Sequence, residues 1–324
     1  MRRIRLTKFG GPDQLQLEEV AEEPRLGQEE VLVDIEAAGV NYIDVYQRQG
    51  IFRVPLPYTP GLEGVGRVRQ LGPAAIKNGR IQIGSRVAWI NAPGSYASEV
   101  AIPIEQAIPV PDSFTAPDAL LFQAITAQYL VSEYRNVRPG DRVLVHAAAG
   151  GVGQLLVQWL KHLGAWVVGT TSNDAKAAAA RAAGADAVIN YGNDYTFLDE
   201  LLSLTGGKGV SLAFDSVGEA TLVSTIKGLS VGGTAVCCGS ASGPPPAIDP
   251  MLLISKATRL GGGSLFAYIA DPEGLQQRAK TVIEGIRAGW LQMGHATPYK
   301  LDEVADAHHA IEGRGTSGKL YLTP

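Results

Sequence analysis

Residues 141–161 constrain this chain more than any other stretch. They read Asp-Arg-Val-Leu-Val-His-Ala-Ala-Ala-Gly-Gly-Val-Gly-Gln-Leu-Leu-Val-Gln-Trp-Leu-Lys. Val143, Leu144 and Val145 form a short apolar run, the pattern of a strand buried on both faces. A turn of small residues follows: Ala148, Ala149, Gly150, Gly151, Val152 and Gly153. Val152, Leu155, Leu156, Trp159, Leu160 and Leu163 then recur at helical spacing, and Gly164 stops the helix. Strand, glycine turn and helix in this order suit a pyrophosphate. The glycines let the backbone approach phosphate oxygens, and the helix N-terminus offers free N–H groups and a partial positive charge. The turn departs from G-x-G-x-x-G: Ala148 stands at the first position, with Gly150 and Gly153 at the others. Glycines also mark ordinary tight turns, so the flanking strand and helix give the motif its meaning. The stretch reads as a nucleotide-binding unit.

Beyond residue 122 the chain alternates. Predicted strands at 142–146, 166–169, 187–189, 212–214, 234–238 and 260–266 are separated by the glycine-turn helix and by predicted helices at 175–183, 197–204 and 221–229. Such alternation implies an α/β fold with a doubly wound parallel sheet. Earlier, strand candidates at 30–37, 65–69 and 85–90 are separated by Gly and Pro, and Pro55, Pro57 and Pro60 share one irregular segment ending at Gly61. That half reads as a compact β-rich domain. A predicted helix at 272–288 and a strand in the tail from Lys319 bring the chain back to it. A length of 324 residues suits two domains.

Charge and composition narrow the partners. A formal charge of −4 gives no basic field for nucleic acid or an anionic membrane. Met1-Arg-Arg-Ile-Arg-Leu-Thr-Lys lacks the apolar core of a signal peptide, and no apolar run is long enough to span a bilayer. Cys237 and Cys238 are adjacent and read as reduced core thiols, which points to the cytoplasm. There is no C-x-x-C and no H-E-x-x-H, and His146, His162, His295, His308 and His309 are scattered, so a metal-free mechanism is expected. His146 ends a buried strand and reads as a satisfied core imidazole.

The second predicted strand informs cofactor choice. A NAD site places Asp or Glu at its end to hold the ribose 2′-OH. Here Thr171 holds that place, followed by Ser172, Asn173, Asp174 and Lys176. Ser172 and Lys176 can hydrogen-bond and neutralise a 2′-phosphate, which favours NADPH; Asp174 is the dissenting charge. The same residues also serve simply as the cap and solvated face of the alanine-rich helix.

Over nearly its whole length the sequence resembles the medium-chain dehydrogenase/reductase superfamily and, within it, the zeta-crystallin-like NADPH:quinone oxidoreductases. The carrying motif is Gly140-Asp141-x-x-Leu144-x-x-x-Ala148-Ala149-Gly150-Gly151-x-Gly153, followed by Gln158 and Lys161. Residues 39–50, 60–66, 189–191, 214–218 and 315–319 match as well. The resemblance implies a β-rich GroES-like catalytic domain at residues 1–124 and 266–324, and a Rossmann NADPH-binding domain at 125–265. Asn41 stands where zinc alcohol dehydrogenases of the superfamily carry a catalytic Cys, and Leu62 where they carry a His. The cysteine-rich structural-zinc lobe is absent. No metal site is therefore implied.

Carried over residue by residue, the resemblance implies a set of cofactor contacts. Asn41, Tyr42 and Ile43 would lie along the nicotinamide side, with Thr126 and Tyr129 approaching the nicotinamide and phosphates. Ala149, Gly150, Gly151 and Val152 would hold the pyrophosphate. Ser172 and Lys176 would grip the 2′-phosphate, with Tyr191 near the adenine end. Ser216, Cys238, Gly239, Ser240 and Ala241 would line the ribose and nicotinamide. Ser264, Leu265, Phe266 and Lys319 would close the site from the other domain.

The implied reaction is hydride transfer from NADPH directly to a quinone, for which the protein supplies orientation and a donor to the developing phenolate. Tyr46 and Asn41 are the candidate catalytic donors; Tyr46 as a stacking residue is the alternative. Asp44 reads as orienting its neighbours. An NADPH-dependent enone or alkenal reductase needs the same groups. A non-catalytic NADPH-binding protein is a further alternative, against which the intact glycine turn, Lys176 and Tyr46 speak. The family implies a homodimer, with the 260–266 strand as the candidate edge.

Overall fold

The computed structural model describes residues 1–22, 24–192, 194–313 and 315–324. Two compact units emerge. One comprises residues 1–122, 270–283 and 293–324, and the other residues 123–269 and 284–292.

In the first unit β1 (Arg2–Leu6) and β2 (Leu15–Glu19) form an antiparallel pair. β3 (Glu30–Val40), β4 (Glu63–Leu71), β5 (Arg86–Ile90), β6 (Glu99–Pro103) and β7 (Ala107–Pro109) build the main antiparallel sheet. Val31, Val33 and Ile35 alternate along β3 and enter one core with Val68, Val87, Trp89 and Ile102. Trp89 is fully buried, and its indole N–H donates to Ser95 Oγ at 2.9 Å. Gly64 pairs with Trp89 across β4 and β5, and a Cβ at that glycine would run into the indole. The Tyr42–Gln49 helix follows β3 at once: Asn41 is its extended N-cap, and Gly50, left-handed at φ 77°, ends it.

The second unit contains β8 (Arg142–Val145), β9 (Trp166–Thr171), β10 (Ala187–Asn190), β11 (Val210–Asp215), β12 (Leu229–Cys237) and β13 (Arg259–Gly262). All pair in parallel, in the order β10-β9-β8-β11-β12-β13. The order reverses between β8 and β11, so the crevice at their carboxyl ends is where a ligand of such a sheet sits. The Gly151–His162 helix packs its apolar face against this sheet because Gly153 lets it come close: a Cβ there would meet the Ala147 carbonyl and the Ala148 Cα. The chain then returns to the first unit, where β14 (Ala296–Lys300) pairs in parallel with β15 (Lys319–Thr323), and β15 in antiparallel with β3.

Two expectations are corrected. The predicted strand at 260–266 ends at Gly262, and Leu265–Tyr268 is a short helix, so Phe266 lies on a helical turn. The predicted return of residues 266–324 to the β-rich domain is interrupted. Residues 266–269 and 284–292 belong with the parallel sheet. Trp290 explains the second piece: its ring meets Trp159 edge-on at 5.0 Å and stacks on His162 at 4.0 Å. Gln158 and Gln292 add reciprocal hydrogen bonds of 2.9 and 2.8 Å. The Val304–Glu312 helix has no counterpart among the predicted elements, because buried His308 interrupts its apolar pattern.

Gly153→Ala is expected to destabilise the fold by about 1–3 kcal/mol through overpacking against a backbone that has no room to yield. Urea unfolding measures it, and an unchanged midpoint would show that the helix can lift from β8 without cost.

Candidate active site

In the first unit, β3 delivers Asn41 into a buried polar cluster. The Asn41 amide Nδ2 donates to Glu63 Oε2 at 2.9 Å, and its Oδ1 accepts from Lys319 Nζ at 3.0 Å. Lys319 also forms an ion pair with Glu63, and both side chains are essentially without exposure, at 1% and 0%. Glu63 Oε1 accepts the Phe122 backbone N–H at 2.6 Å, at the start of the Phe122–Glu133 helix. Gly39 makes room for the pair, since a Cβ there would strike the Glu63 carboxylate and the Lys319 ammonium. Asn41 thus spends its side chain on the ion pair rather than on its own helix. Asp44, at the third helical position, reaches back so that its Oδ2 accepts the Asn41 backbone N–H at 2.8 Å, as in a capping box.

Asp44 in turn accepts from the Tyr96 hydroxyl at 3.1 Å, and Tyr96 lies 3.2 Å from His308 Nε2. Burial pushes the Asp44 carboxyl up to about 7, against the Asn41 and Tyr96 hydrogen bonds and the Lys319 charge. Burial, and then the nearby Arg48 charge, lowers His308 to about 3. Tyr46 sits one turn along the helix, its ring 5.9 Å from Tyr42 and 5.7 Å from Phe52. The Tyr42 hydroxyl donates to the Ile311 carbonyl at 3.2 Å, and Ile43 is half-buried on the same helix.

In the second unit the predicted cofactor residues gather at the carboxyl ends of the strands. Ala149 to Val152 follow β8, with Gly150 as N-cap of the Gly151–His162 helix, so the first N–H groups of that helix are free of intrahelical partners. Ser172 follows β9, and Lys176 Nζ lies 3.4 Å from its Oγ. Asn173 caps the Asp174–Ala182 helix by accepting the Lys176 backbone N–H at 2.9 Å, so the capping and phosphate roles of this turn fall on different side chains. Tyr191 donates its backbone N–H to Thr171 and packs on Tyr195 at 4.9 Å. Ser216 follows β11, and its carbonyl accepts the Ala241 N–H at 3.2 Å. A Cβ at Gly239 would meet Ser216, so the two loops touch backbone to backbone. Cys238 and Tyr129 converge on Gly263, and Tyr129 stacks on Tyr268 at 4.9 Å. Burial raises the Cys238 thiol far beyond its ordinary value, so it stays protonated. Thr126 is half-buried on the Phe122–Glu133 helix.

Ser264 to Phe266 lie in this second unit, whereas Lys319 belongs to the first, bonded to Asn41.

His146 bears out its reading as a satisfied core imidazole: it is buried, 2.8 Å from both Thr170 Oγ1 and Thr225 Oγ1. Thr225 donates to Asp215 Oδ2, so it accepts from His146 Nε2–H, which leaves Nδ1 to accept from Thr170. Asp215 Oδ1 takes the N–H groups of Val217 and Gly218 and the Thr221 hydroxyl. This relay fixes the loop carrying Ser216. Glu63, Tyr96, His308 and Asp215 were not singled out from the sequence. For Glu63 and Asp215 the signal was present as an acid inside an otherwise apolar strand, Gly-Leu-Glu-Gly-Val-Gly and Leu-Ala-Phe-Asp.

Residues 27–112 match the alcohol dehydrogenase GroES-like domain, and residues 151–281 the family described as zinc-binding dehydrogenase. A quinone oxidoreductase of Pseudomonas aeruginosa is 34% identical, covering 100% of this chain and 99% of its own. The chain belongs to the quinone oxidoreductase family. A 2-haloacrylate reductase of a Burkholderia species is 35% identical over 98% of this chain and 97% of its own. The solved structure of Escherichia coli quinone oxidoreductase complexed with NADPH shares the fold at a TM-score of 0.94 and 32% identity, covering 100% of both chains. As in the rest of this family and its medium-chain dehydrogenase/reductase superfamily, a β-rich GroES-like unit accompanies a Rossmann unit.

The family description names zinc, and the residues do not fit it. Glu63 and Asn41 are bonded to the Lys319 ammonium, and neighbouring Leu62 is apolar and buried. Among the described residues no group of three or more His, Cys, Asp or Glu side chains is placed to hold a metal ion.

Lys319→Met leaves Glu63 buried and unpaired and is expected to cost about 3–5 kcal/mol of stability. The Glu63→Gln, Lys319→Met double variant is expected to recover most of that loss. A urea series on the single and double variants decides it, and strict additivity would deny the pairing its energetic role.

Proposed function

We propose that the protein is an NADPH-dependent quinone reductase that delivers hydride directly to the quinone without a metal. The observation that carries the cofactor choice is the Ser172–Lys176 pair, 3.4 Å apart just beyond β9, where a NAD site carries an acid; buried Thr171 takes that place. A hydroxyl and an ammonium side by side complement a 2′-phosphate. The glycine turn at 149–152 supports the pyrophosphate with backbone N–H groups at a helix N-terminus. The NADPH bound to the E. coli relative supports the same reading.

When bound, NADPH supplies a hydride and leaves oxidised. The protein's own task is to hold the acceptor and stabilise the oxyanion that forms as the acceptor takes on two electrons. Asn41 keeps a second Nδ2 hydrogen beyond the one given to Glu63, and Tyr46 offers a phenolic O–H on the next turn. Protonation of the resulting anion completes the hydroquinone. The Lys319 ammonium, held beside Asn41, adds positive charge on the acceptor side.

A second reading has one specific support. The 2-haloacrylate reductase relative is named for reduction of an activated C=C bond, which needs the same hydride and the same oxyanion donor. For assembly we infer a homodimer through β13. It is the edge of its sheet, and Met251 and Ile254 on the neighbouring Pro250–Ile254 helix are 63% and 65% exposed. No helix among the described residues is long and apolar enough to cross a membrane. Free Cys237 and Cys238 fit the reducing cytoplasm.

Oxidation of NADPH by the purified protein, with 1,4-benzoquinone and with 2-chloroacrylate as parallel acceptors, tests the reading. Faster turnover on the quinone is expected, and preference for the haloacrylate would move the assignment to alkene reduction. Lys176→Ala is expected to raise the KM for NADPH about tenfold, equivalent to about 1.4 kcal/mol, and to leave NADH within about twofold. Equal losses would remove this account of specificity. Tyr46→Phe is expected to lower kcat about tenfold or more with the NADPH KM unchanged; an unaltered kcat would make Tyr46 a packing partner of Tyr42 and Phe52.

A further inference from the structure

The buried groups behind Asn41 form a chain with a single consistent proton arrangement. Tyr96 has one hydroxyl proton and two neighbours, Asp44 Oδ2 and His308 Nε2. An ionised Asp44 only accepts, so Tyr96 donates to it and must itself accept from His308 Nε2–H. His308 Nδ1 then carries a lone pair, and it faces Arg48 Nη1 at 3.4 Å. Arg48 is 1% exposed and pairs with Glu312 at 2.8 Å, which is 29% exposed and ends the Val304–Glu312 helix. The arrows run Arg48 to His308 to Tyr96 to Asp44, and the last acceptor also holds the Asn41 backbone N–H. The second carboxylate oxygen, Asp44 Oδ1, is buried with no hydrogen-bond partner among the described residues.

We propose that Asp44 is a positioning residue for Asn41, and that its ionised carboxylate, oriented by Arg48, His308 and Tyr96, keeps Asn41 in its working geometry. This rests on the reading that Asn41 serves the acceptor. The groups facing Asp44 are Tyr96 from the loop before β6, Glu63 from β4, Lys319 from β15, Tyr58, and, through Tyr96, His308 with Arg48 behind it. Protonation places a hydrogen on Oδ1, where no acceptor of the described residues waits, and strips the charge from Oδ2. Bonds to an ionised acceptor are about twice as strong as bonds to a neutral one, so the grip on both Asn41 and Tyr96 loosens. The carboxyl is raised to about 7, so this change falls in the neutral range. The sign follows: Asn41 is held above that pH and released below it. Tyr96 favours the ionised form, so its removal moves the transition to higher pH.

Two readouts test this on the full chain. The first needs no turnover: the Asn41 backbone amide proton, followed by NMR across pH, is expected to titrate near neutral pH. In Tyr96→Phe its midpoint should rise by about one pH unit. The second is the acid limb of kcat/KM for the quinone, which should rise by the same amount in Tyr96→Phe and vanish in Asp44→Asn. A merely structural role would lower kcat/KM equally at every pH. Superimposable amide titrations in wild type and Tyr96→Phe would overturn the proposal, as would an acid limb that stays put while the amide midpoint moves. Asn41→Ala separates the underlying reading: if it turns over as fast as wild type, the assignment of Asn41 to the acceptor fails, whatever the amide titration shows. Should Asp44→Asn not fold, the Tyr96→Phe pair of measurements still decides.

Discussion

A fully buried charge pair, Glu63 with Lys319, organises the first unit. Removing two charges from water is costly, and their attraction offsets that cost only when every remaining bond is made. Here both Glu63 oxygens are engaged, and the ammonium has a second acceptor in Asn41. Asn41 donates from Nδ2 to Glu63 and accepts a hydrogen bond from Lys319 at Oδ1, while the other Glu63 oxygen accepts the first N–H of the Phe122–Glu133 helix. The positive end of that helix adds to the stabilisation of the carboxylate. Gly39 is glycine because the pair occupies the space its side chain would need. Asn41 directs its side chain to that pair, and Asp44, the third residue of the following helix, reaches back to the Asn41 backbone N–H.

The second unit solves a different problem with hydroxyls and an imidazole set around a single buried carboxylate. Its strand ends must present backbone N–H groups to a ligand while their loops stay fixed. Two hydroxyls and one imidazole, Thr170, His146 and Thr225, accomplish this with the Asp215 carboxylate, which holds the start of the Ser216 loop. Burial lowers the His146 affinity for a proton despite the nearby Asp215, so the relay stays uncharged at its centre. One unit positions by an ion pair, the other by hydroxyls aligned on a lone carboxylate.

Much of this was legible in the sequence, for physical reasons. Parallel strands buried on both faces leave continuous apolar runs, so β8, β9 and β11 stood out, and the glycine turn lay between a strand and a helix as the motif requires. Ser172 and Lys176 sit four residues apart on one turn, and the structure brings them together. What stayed hidden depends on long-range contacts. Lys319 meets Glu63 across 256 positions, and His308 meets Tyr96 across 212. No local period carries such pairs. The Gln158–Gln292 bonds that draw residues 284–292 to the parallel sheet were invisible for the same reason. Phe266 falls on a helical turn because the strand ends at Gly262 and Ser264 begins a new short helix.

The separation between Glu63 and Lys319 also has a consequence for how the molecule comes into being. Synthesis is vectorial, and domains tend to fold as they emerge. All of residues 123–269 are made before the lysine that neutralises Glu63. During that interval the antiparallel sheet holds an acid facing its own interior with no counter-charge, and closing it would bury a lone anion. The nucleotide-binding sheet, whose strands are contiguous in the chain, has no such debt and can close first. The antiparallel sheet thus waits on its own last strand, made after the whole parallel sheet, an order set by one ammonium group.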